Sequence, residues 1–326
     1  MTIDVQILNA LRAAAGGSVS GTELSQSLGV SRAAVWARIE ELRSLGYDIE
    51  ASPHLGYRLL AAPDVLHADD LISRLGPPRV IGRDIRVFQS TTSTNDVVEK
   101  LARDGVKEGA VVFAESQTCG RGRLGRKWLS PARKGLWFSV LLRPEMRPTE
   151  ATRLTVASAT ALRRALHSQT GLEAEIKWPN DLLIHGRKTA GILTELSAEL
   201  DRIKYVILGI GVDVNFSPAD FPAELRSQAT SLKAELGKPV FCPHLAVAIL
   251  KELDHDYARI TAGHFADIAE EWEKHCTTIG RNVTIRVGAR QISGRAEALG
   301  DEGALLLRTE HGHLERIVGG DVTIEE

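Results

Sequence analysis

Apolar positions in the first sixty residues recur at helical spacing and then switch to the alternation of a ribbon. Val5, Leu8 and Leu11 fall on one helix face, and Gly16-Gly17 stops the run. Ser20-Gly-Thr-Glu23 reads as a capping box for a short helix that carries Leu24 and Leu28. Gly29 turns the chain, Ser31 caps, and Val35, Ile39 and Leu42 line a third helix ended by Gly46. Two capped helices around a tight glycine turn form a helix-turn-helix pattern. Residues 47–50 and 57–60 predict two strands around 52–56, a hairpin that would form a wing, and 61–64 reads as a linker.

From residue 65 the pattern alternates strands and helices. Ser93 or Thr94 caps a helix running to Asp104, and strands are expected at 110–115 and 136–142. A long alanine-rich helix starts at Thr149 and ends at Gly171, followed by strands at 173–178, 182–185, 189–196 and 204–215. Pro243 opens a further helix at its first turn, and the segment around Trp272 closes this region. In the last fifty residues, short alternating runs such as 283–287 and 305–307 are separated by expected glycine turns at Gly294, 300–303, Gly312 and Gly319-Gly320, which predicts a small barrel of about five strands. The fold class expected is therefore multidomain α+β: a winged helix-turn-helix over 1–64, a mixed-sheet α/β domain over 65–276, and a small β barrel over 277–326.

Composition changes this picture little. The 40 Lys+Arg and 42 Asp+Glu leave a net charge of -2, so any anion site must be local. Cys119, Cys242 and Cys276 lack the spacing of a disulfide framework or zinc site, which fits a reducing cytoplasm. Met-Thr-Ile-Asp carries an acid where a signal peptide wants basic residues, and no apolar run approaches the roughly 18 to 20 residues of a membrane span. The ten histidines show no metal-ligand spacing beyond His311-Gly-His313, read as a hairpin turn, and no side-chain metal ligand is expected.

The sharpest motif is Gly120-Arg-Gly-Arg-Leu-Gly-Arg-Lys-Trp128, straight after a strand. Its glycines spell a dinucleotide fingerprint, but Trp128-Leu-Ser-Pro131 follows where a helix should begin, and no acid closes a βαβ unit. What remains is a loop bearing Arg121, Arg123, Arg126 and Lys127, whose backbone can approach a phosphate or carboxylate closely. Taken alone it could equally be a solvated basic loop. Lys177-Trp-Pro-Asn-Asp181, Arg187-Lys188-Thr-Ala-Gly-Ile-Leu193 and Gly209-Ile-Gly-Val-Asp-Val-Asn215 then follow in that order.

With these motifs in this order the chain resembles the biotin protein ligases, in particular the bifunctional subgroup that also acts as a biotin operon repressor. The resemblance runs essentially end to end and implies an SH3-like terminal domain. It implies that Ser93, Thr94, Asn95 and Gln117 contact the biotin ureido ring, with Gly120, Arg121 and Arg123 ordering over biotin and its activated carboxyl. Trp128 is similar to the tryptophan on which adenine stacks, and Arg126, Asn180 and Asn215 match nucleotide-side positions. Lys188 corresponds to the lysine at the reacting carboxylate and phosphate, Asp181 lies near it, and Gly191, Gly209 and Gly211 line the pocket. The implied substrates are biotin and ATP with Mg2+. The implied partners are a biotin carboxyl carrier protein offering an acceptor lysine, biotin operon DNA and a second copy in a homodimer, with no membrane.

The first 64 residues hold five arginines, no lysine and seven acids, whereas a phosphate-binding module is usually basic. Ser31, Arg32 and Ala33 still resemble the start of the repressors' recognition helix, continued by Trp36 and Arg38. Trp36 and Ala37 depart from that pattern, which is usually polar or basic there. Two other readings stay open on the residues: a lipoate-type ligase, which would want an Arg-Arg-x-x-Gly-Gly segment that is not found, and a non-catalytic biotin-sensing regulator.

Overall fold

The computed structural model describes residues 2–324, which divide into two compact units on either side of Gly76 and Pro77. The first contains α1 (Ile3–Ala13), α2 (Gly21–Leu28), α3 (Arg32–Ser44), the antiparallel hairpin β1 (Asp48–Ser52) and β2 (Gly56–Ala61), and α4 (Ala68–Leu75). Ser31 caps α3, its hydroxyl accepting from the Ala34 N–H at 3.1 Å. Ser20 caps α2 by accepting from the Thr22 N–H, in place of the reciprocal pairing with Glu23 that a capping box requires. The core is the apolar set read from the sequence, with Leu8 and Leu11 of α1, Leu24 of α2, and Val35, Ile39 and Leu42 of α3 around Tyr47 and Ile49. Helix α4 closes the unit on α1: Arg12 and Arg74 both pair with buried Asp70, carrying it beyond the stretch 61–64 read as a linker.

The arginines of this unit are largely spent on its own acids. Arg38 pairs with Asp4 and Glu41, Arg43 with Glu40, and Arg58 with Glu50. Among the described residues, Arg32 is the arginine of this unit without an ion pair. Trp36 stands on the outer face of α3 with 58% of its surface exposed.

The second unit is built on a seven-stranded sheet. Its strands are β3 (Asp84–Phe88), β4 (Ala110–Ala114), β5 (Gly135–Leu142), β6 (Glu175–Lys177), β7 (Asp181–Ile184), β8 (Arg187–Ala198) and β9 (Ile203–Asp213), in the order β3-β4-β5-β9-β8-β7-β6. Only β3 and β4 run parallel, so the sheet is mixed as expected. The helices are α5 (Thr94–Arg103), α6 (Thr152–Thr170), α7 (Leu232–Leu236), α8 (Cys242–Thr261) and α9 (Phe265–Lys274). Helices α6 and α8 cover one face, where Leu154, Ala157 and Leu253 meet Leu142 and Leu208. Each such buried leucine contributes about 1.5 to 3 kcal/mol. Helix α5 covers one end of the other face through Val98, Leu101 and Ala102 against Leu141 and Ile207, which leaves its N-terminus at the middle of the sheet.

On that second face the two-residue period of strands decides what is presented. Along β9 it presents Gly209, Gly211 and Asp213; opposite them lie Ser139, Trp137 and Gly135 of β5, and Leu193 and Gly191 of β8 face Gly209 and Gly211. Between β7 and β8 the register slips: Leu182 pairs with Ala190 but Leu183 pairs with Lys188, so Thr189 is an extra residue. This bulge brings Lys188 onto the same face as Gly191, which simple alternation would forbid.

The remaining strands, β10 (Asn282–Val287), β11 (Arg290–Leu299), β12 (Leu305–Thr309), β13 (Leu314–Ile317) and β14 (Asp321–Ile324), form an antiparallel sheet in the order β13-β12-β11-β10-β14. Gly294 is no turn, contrary to expectation. It sits inside β11 opposite Thr309, where a side chain would run into the Arg308 carbonyl, so its glycine serves close strand approach.

Candidate functional site

A cavity of about 630 Å³ opens on the glycine-bearing face of the large sheet. Its floor exists because Gly191 and Gly211 are paired on neighbouring strands and lack side chains. The indole of Trp128 lies across both: a methyl group on Gly211 would come within 2.6 Å of the indole nitrogen, and one on Gly191 within 2.7 Å of the ring edge. The Trp137 ring meets the Trp128 ring edge-on at 6.5 Å. Its N–H is buried and finds no acceptor among the described residues. The loop carrying Trp128 is a short hairpin, tied by Trp128 N–H to the Gly120 carbonyl at 2.9 Å and by Gly122 N–H to the Arg126 carbonyl at 2.7 Å.

One end of the cavity is a buried row of neutral hydrogen-bonding groups at the N-terminus of α5. The Thr94 hydroxyl meets Ser139 at 2.7 Å and donates to the Gln117 side-chain carbonyl at 3.1 Å, to which the Thr94 N–H also donates. Ser139 donates to the Asn95 carbonyl at 2.5 Å, and the Asn95 amide donates to Glu195 at 2.7 Å. Gly209 leaves the room that Asn95 occupies. In a low-dielectric setting such a chain of mutually polarised groups fixes each partner's orientation, which suits a small neutral ring with several polar edges.

Cations line the rest of the cavity. Arg121 lies beside the neutral row, donating to Asp96 at 2.6 Å and approaching Glu195, the acceptor of the Asn95 amide, at 3.5 Å. Arg123 donates to the Asn180 side chain at 3.2 Å and the Gly320 carbonyl at 3.4 Å, while Arg126 pairs with Asp321 at 2.6 Å. Lys188, turned inward by the bulge, pairs with Asp181 at 2.6 Å and stands 5.0 Å above the Trp128 ring. Burial draws the Arg123 guanidinium below its ordinary value, with Asp181 and Asp321 opposing. Burial pushes the Asp213 carboxyl well above the usual carboxylate range, with Lys188 opposing.

Of the residues expected at a site, Ser93, Thr94, Asn95, Gln117, Arg121, Arg123, Arg126, Trp128, Asn180, Asp181, Lys188, Gly191, Gly209 and Gly211 all line this one cavity. Gly120 and Asn215 are not part of that lining. Gly120 lies behind it, packed so tightly against Ser130 and the Trp128 carbonyl that a side chain cannot enter. Asn215 is turned aside because both ends of its amide bond the Val240 backbone at 2.9 Å. Ser31, Arg32, Ala33, Trp36 and Arg38 lie on α3 or its cap in the first unit, with Arg38 tied to Asp4 and Glu41. The residues missed are Asp96, Ser139, Glu195, Asp213, Gly320 and Asp321. A lone hydroxyl in the apolar run 136–142 was the one available signal, for Ser139.

Comparison with known proteins agrees with this geometry. The biotin/lipoate A/B protein ligase family matches residues 87–213, an HTH domain matches 5–58, and the biotin protein ligase C-terminal domain matches 278–324. The bifunctional ligase/repressor BirA of Bacillus subtilis is 38% identical over 94% of this chain and 94% of its own length. Its namesake from Escherichia coli is 31% identical over 94% of this chain and 92% of its own length. The solved biotin protein ligase from Aquifex aeolicus in complex with biotin and ATP superposes with a TM-score of 0.63 at 30% identity, covering 74% of this chain and 99% of that one.

Proposed function

The chain belongs to the biotin protein ligases, within the biotin/lipoate A/B protein ligase family, and from that premise we propose that it joins biotin and ATP into biotinyl-5'-AMP and passes biotin to a lysine of a biotin carboxyl carrier protein. One observation carries this reading: Arg121, Arg123 and Lys188 line the same cavity whose floor bears Trp128.

The division of labour follows from the two ends of the site. The neutral row of Gln117, Thr94, Ser139 and Asn95 holds the ureido ring, and Trp128 supplies the face on which adenine stacks. The biotin carboxylate then attacks the α-phosphate, so two anions meet and charge grows on phosphorus. Arg123 and Lys188, with Arg121 further along the same cavity, supply positive charge for it, and preorganised cations stabilise such charge without rearranging water. The Mg2+ that accompanies ATP in this reading would neutralise charge on the leaving pyrophosphate. The cavity lining offers it carboxylate oxygen, such as that of Asp181, and no His or Cys. The mixed anhydride formed is labile in water, so the 120–128 hairpin shields it until the carrier amine attacks the acyl carbon and AMP leaves.

The test mixes protein, ATP, Mg2+ and either biotin or lipoate with a biotin carrier domain, following pyrophosphate and acceptor mass. Biotin-dependent pyrophosphate release with a biotinylated acceptor is expected. Turnover with lipoate alone would move the chain to the lipoate class, and neither product would leave a sensor without catalysis.

We read the first unit as a winged helix-turn-helix through which the chain represses transcription, with β1–β2 as the wing, the terminal sheet as an SH3-like barrel, and a homodimer matching paired half-sites in the cytoplasm. Arg32, Ala33 and Trp36 on the outer face of α3 support this, and Arg32 is the cation left for DNA. Binding of the adenylate-loaded protein to its own upstream DNA is expected with a shallow salt dependence. Its absence even at low salt would end the repressor reading.

A further inference from the structure

The backbone that carries Lys188 lies where the sheet has run out of strand on one side. Strand β9 pairs with β8 as far as Val212 opposite Ala190, and beyond Asp213 the chain turns away, the Val214 and Asn215 N–H groups both donating to the Lys134 carbonyl. On the β7 side the bulge at Thr189 interrupts the ladder right beside Lys188. The segment 228–230 takes the place that β9 has left: the Lys188 N–H donates to the Gln228 carbonyl at 2.8 Å, and its carbonyl accepts from the Thr230 N–H at 2.8 Å. Gln228 and Ala229 of that segment line the cavity, and Ala229 packs against the cluster of Trp137, Phe216 and Phe221. Two backbone hydrogen bonds contribute only about 1 kcal/mol each, so this pairing needs a further tie to hold one geometry.

Glu235 supplies the tie. It stands on the short helix α7 with its side chain only 6% exposed. The Thr230 hydroxyl donates to one of its carboxylate oxygens, Arg187 donates to the same oxygen at 2.6 Å, and Nδ1 of His185 meets the other at 2.7 Å. Thr230 ends the pairing segment, whereas His185 and Arg187 flank Gly186 in the turn from β7 into β8. His185 and Gly186 both have positive φ, 49° and 73°, as a tight two-residue hairpin turn requires. Fixing the residues on either side of so short a turn fixes the residue that follows, which is Lys188. Resting on the ligase reading, we propose that Glu235 is a positioning residue for adenylate formation: it clamps the β7–β8 turn to the 228–230 segment and so sets where the Lys188 ammonium stands against the reacting anions. Glu235 is not in the cavity lining and acts through Lys188. A carboxylate suits the task because one group must accept from three donors on two separate pieces of chain, and an amide would turn a donor of its own against one of them. A reacting group displaced by about 1 Å loses about 10²-fold in rate, so a modest slip of this clamp is enough to matter.

The test measures biotin-dependent ATP–pyrophosphate exchange on the full-length protein, with rates scaled to the fraction of chains that bind biotin in titration calorimetry, so that unfolded protein does not count. Glu235→Ala should lower kcat by about 10- to 10²-fold. Biotin affinity should stay within about twofold of wild type, since the Thr94–Ser139–Asn95 row lies elsewhere. The readout that a merely stabilising carboxylate would not move is a double-mutant cycle: in a Lys188→Ala background Glu235→Ala should change kcat by less than about twofold, because the group it positions is gone. Thr230→Val cuts only the link to the segment and keeps the contacts of Glu235 with Arg187 and His185. It should show the same non-additivity, and it carries the cycle should Glu235→Ala fail to fold. A kcat within about twofold of wild type for the variant carrying the readout, or an equal loss with and without Lys188, would overturn the assignment. Absence of exchange by the wild type would instead end the ligase reading, which keeps the two failures apart.

Discussion

Replacing Gly211 with alanine isolates the role of the cavity floor. The added methyl would lie 2.6 Å from the Trp128 Cε2 and Nε1 atoms and 2.9 Å from Cζ2, against an ordinary contact of about 3.4 to 4 Å, so the indole must lift by about 1 Å. Trp137 meets it edge-on and Gly191 carries the other half of the ring, so lifting the indole disturbs both contacts. Overpacking of this kind costs about 1 to 3 kcal/mol, which is about 5- to 150-fold if it falls on nucleotide binding. Measured as biotin-dependent ATP–pyrophosphate exchange, Gly211→Ala should raise the KM for ATP by that range. Biotin affinity should barely change, because the Thr94–Ser139–Asn95 row lies elsewhere. A double-mutant cycle sharpens the point: in a Trp128→Ala background the same glycine change should do little. An ATP KM for Gly211→Ala within about twofold of wild type, or an equal effect with and without Trp128, would refute the reasoning.

Lys188→Ala should lower pyrophosphate release by about 10²- to 10³-fold, and a rate within about twofold of wild type would contradict its place at the reacting anions. Ser139→Ala breaks the link between Thr94 and Asn95 in a fully buried spot and should weaken biotin binding by about 1 to 3 kcal/mol, read by titration calorimetry. For Glu235, burial alone would raise the carboxyl, but hydrogen bonds from Thr230 and His185 and the charge of Arg187 hold it below its ordinary value. Its stabilisation is thus complete above the unfolded value near about 4.3 and is lost as pH falls through the lower folded value; Glu235→Gln should flatten this acid limb in denaturant melts, and an unchanged limb would count against it. In the first unit, Arg32→Ala should reduce the salt slope of DNA binding by about one without lowering stability, whereas Arg38→Ala should destabilise the unit because Asp4, 6% exposed, loses its partner. Equal melting temperatures for the two variants would speak against that division.

What could be read along the chain is what the chain concentrates locally. The Gly120–Trp128 hairpin, the 177–181 turn and Lys188 are contiguous motifs at strand ends, so their residue types alone announce an anion site. Asp213 lines the same cavity, and Asp96, Ser139 and Glu195 bond side chains that line it, but all four are brought there by strand pairing and the docking of α5, and pairing leaves no mark on the spacing of residues in the chain. Glycine shows the same ambiguity in miniature. Gly294 resembles the turn glycines around it, yet its Cβ is excluded by Arg308 across a strand pair. Asn215 ends a site motif, yet a backbone pair with Val240 claims its amide. Boundaries followed propensity more closely: the helix expected from Thr149 begins at Thr152 after a single tight turn.

The extra residue at Thr189 has one further consequence. A strand has only two phases, so adding or deleting a single residue inverts which side chains see the ligand from that point onward. Lys188 and Gly191 are three apart and yet share a face because the chain here is one residue too long for a regular ladder. Between Arg187 and Leu193 chain length therefore matters alongside residue identity, and a single insertion or deletion here should turn Lys188 away from the ligand even with every residue type kept.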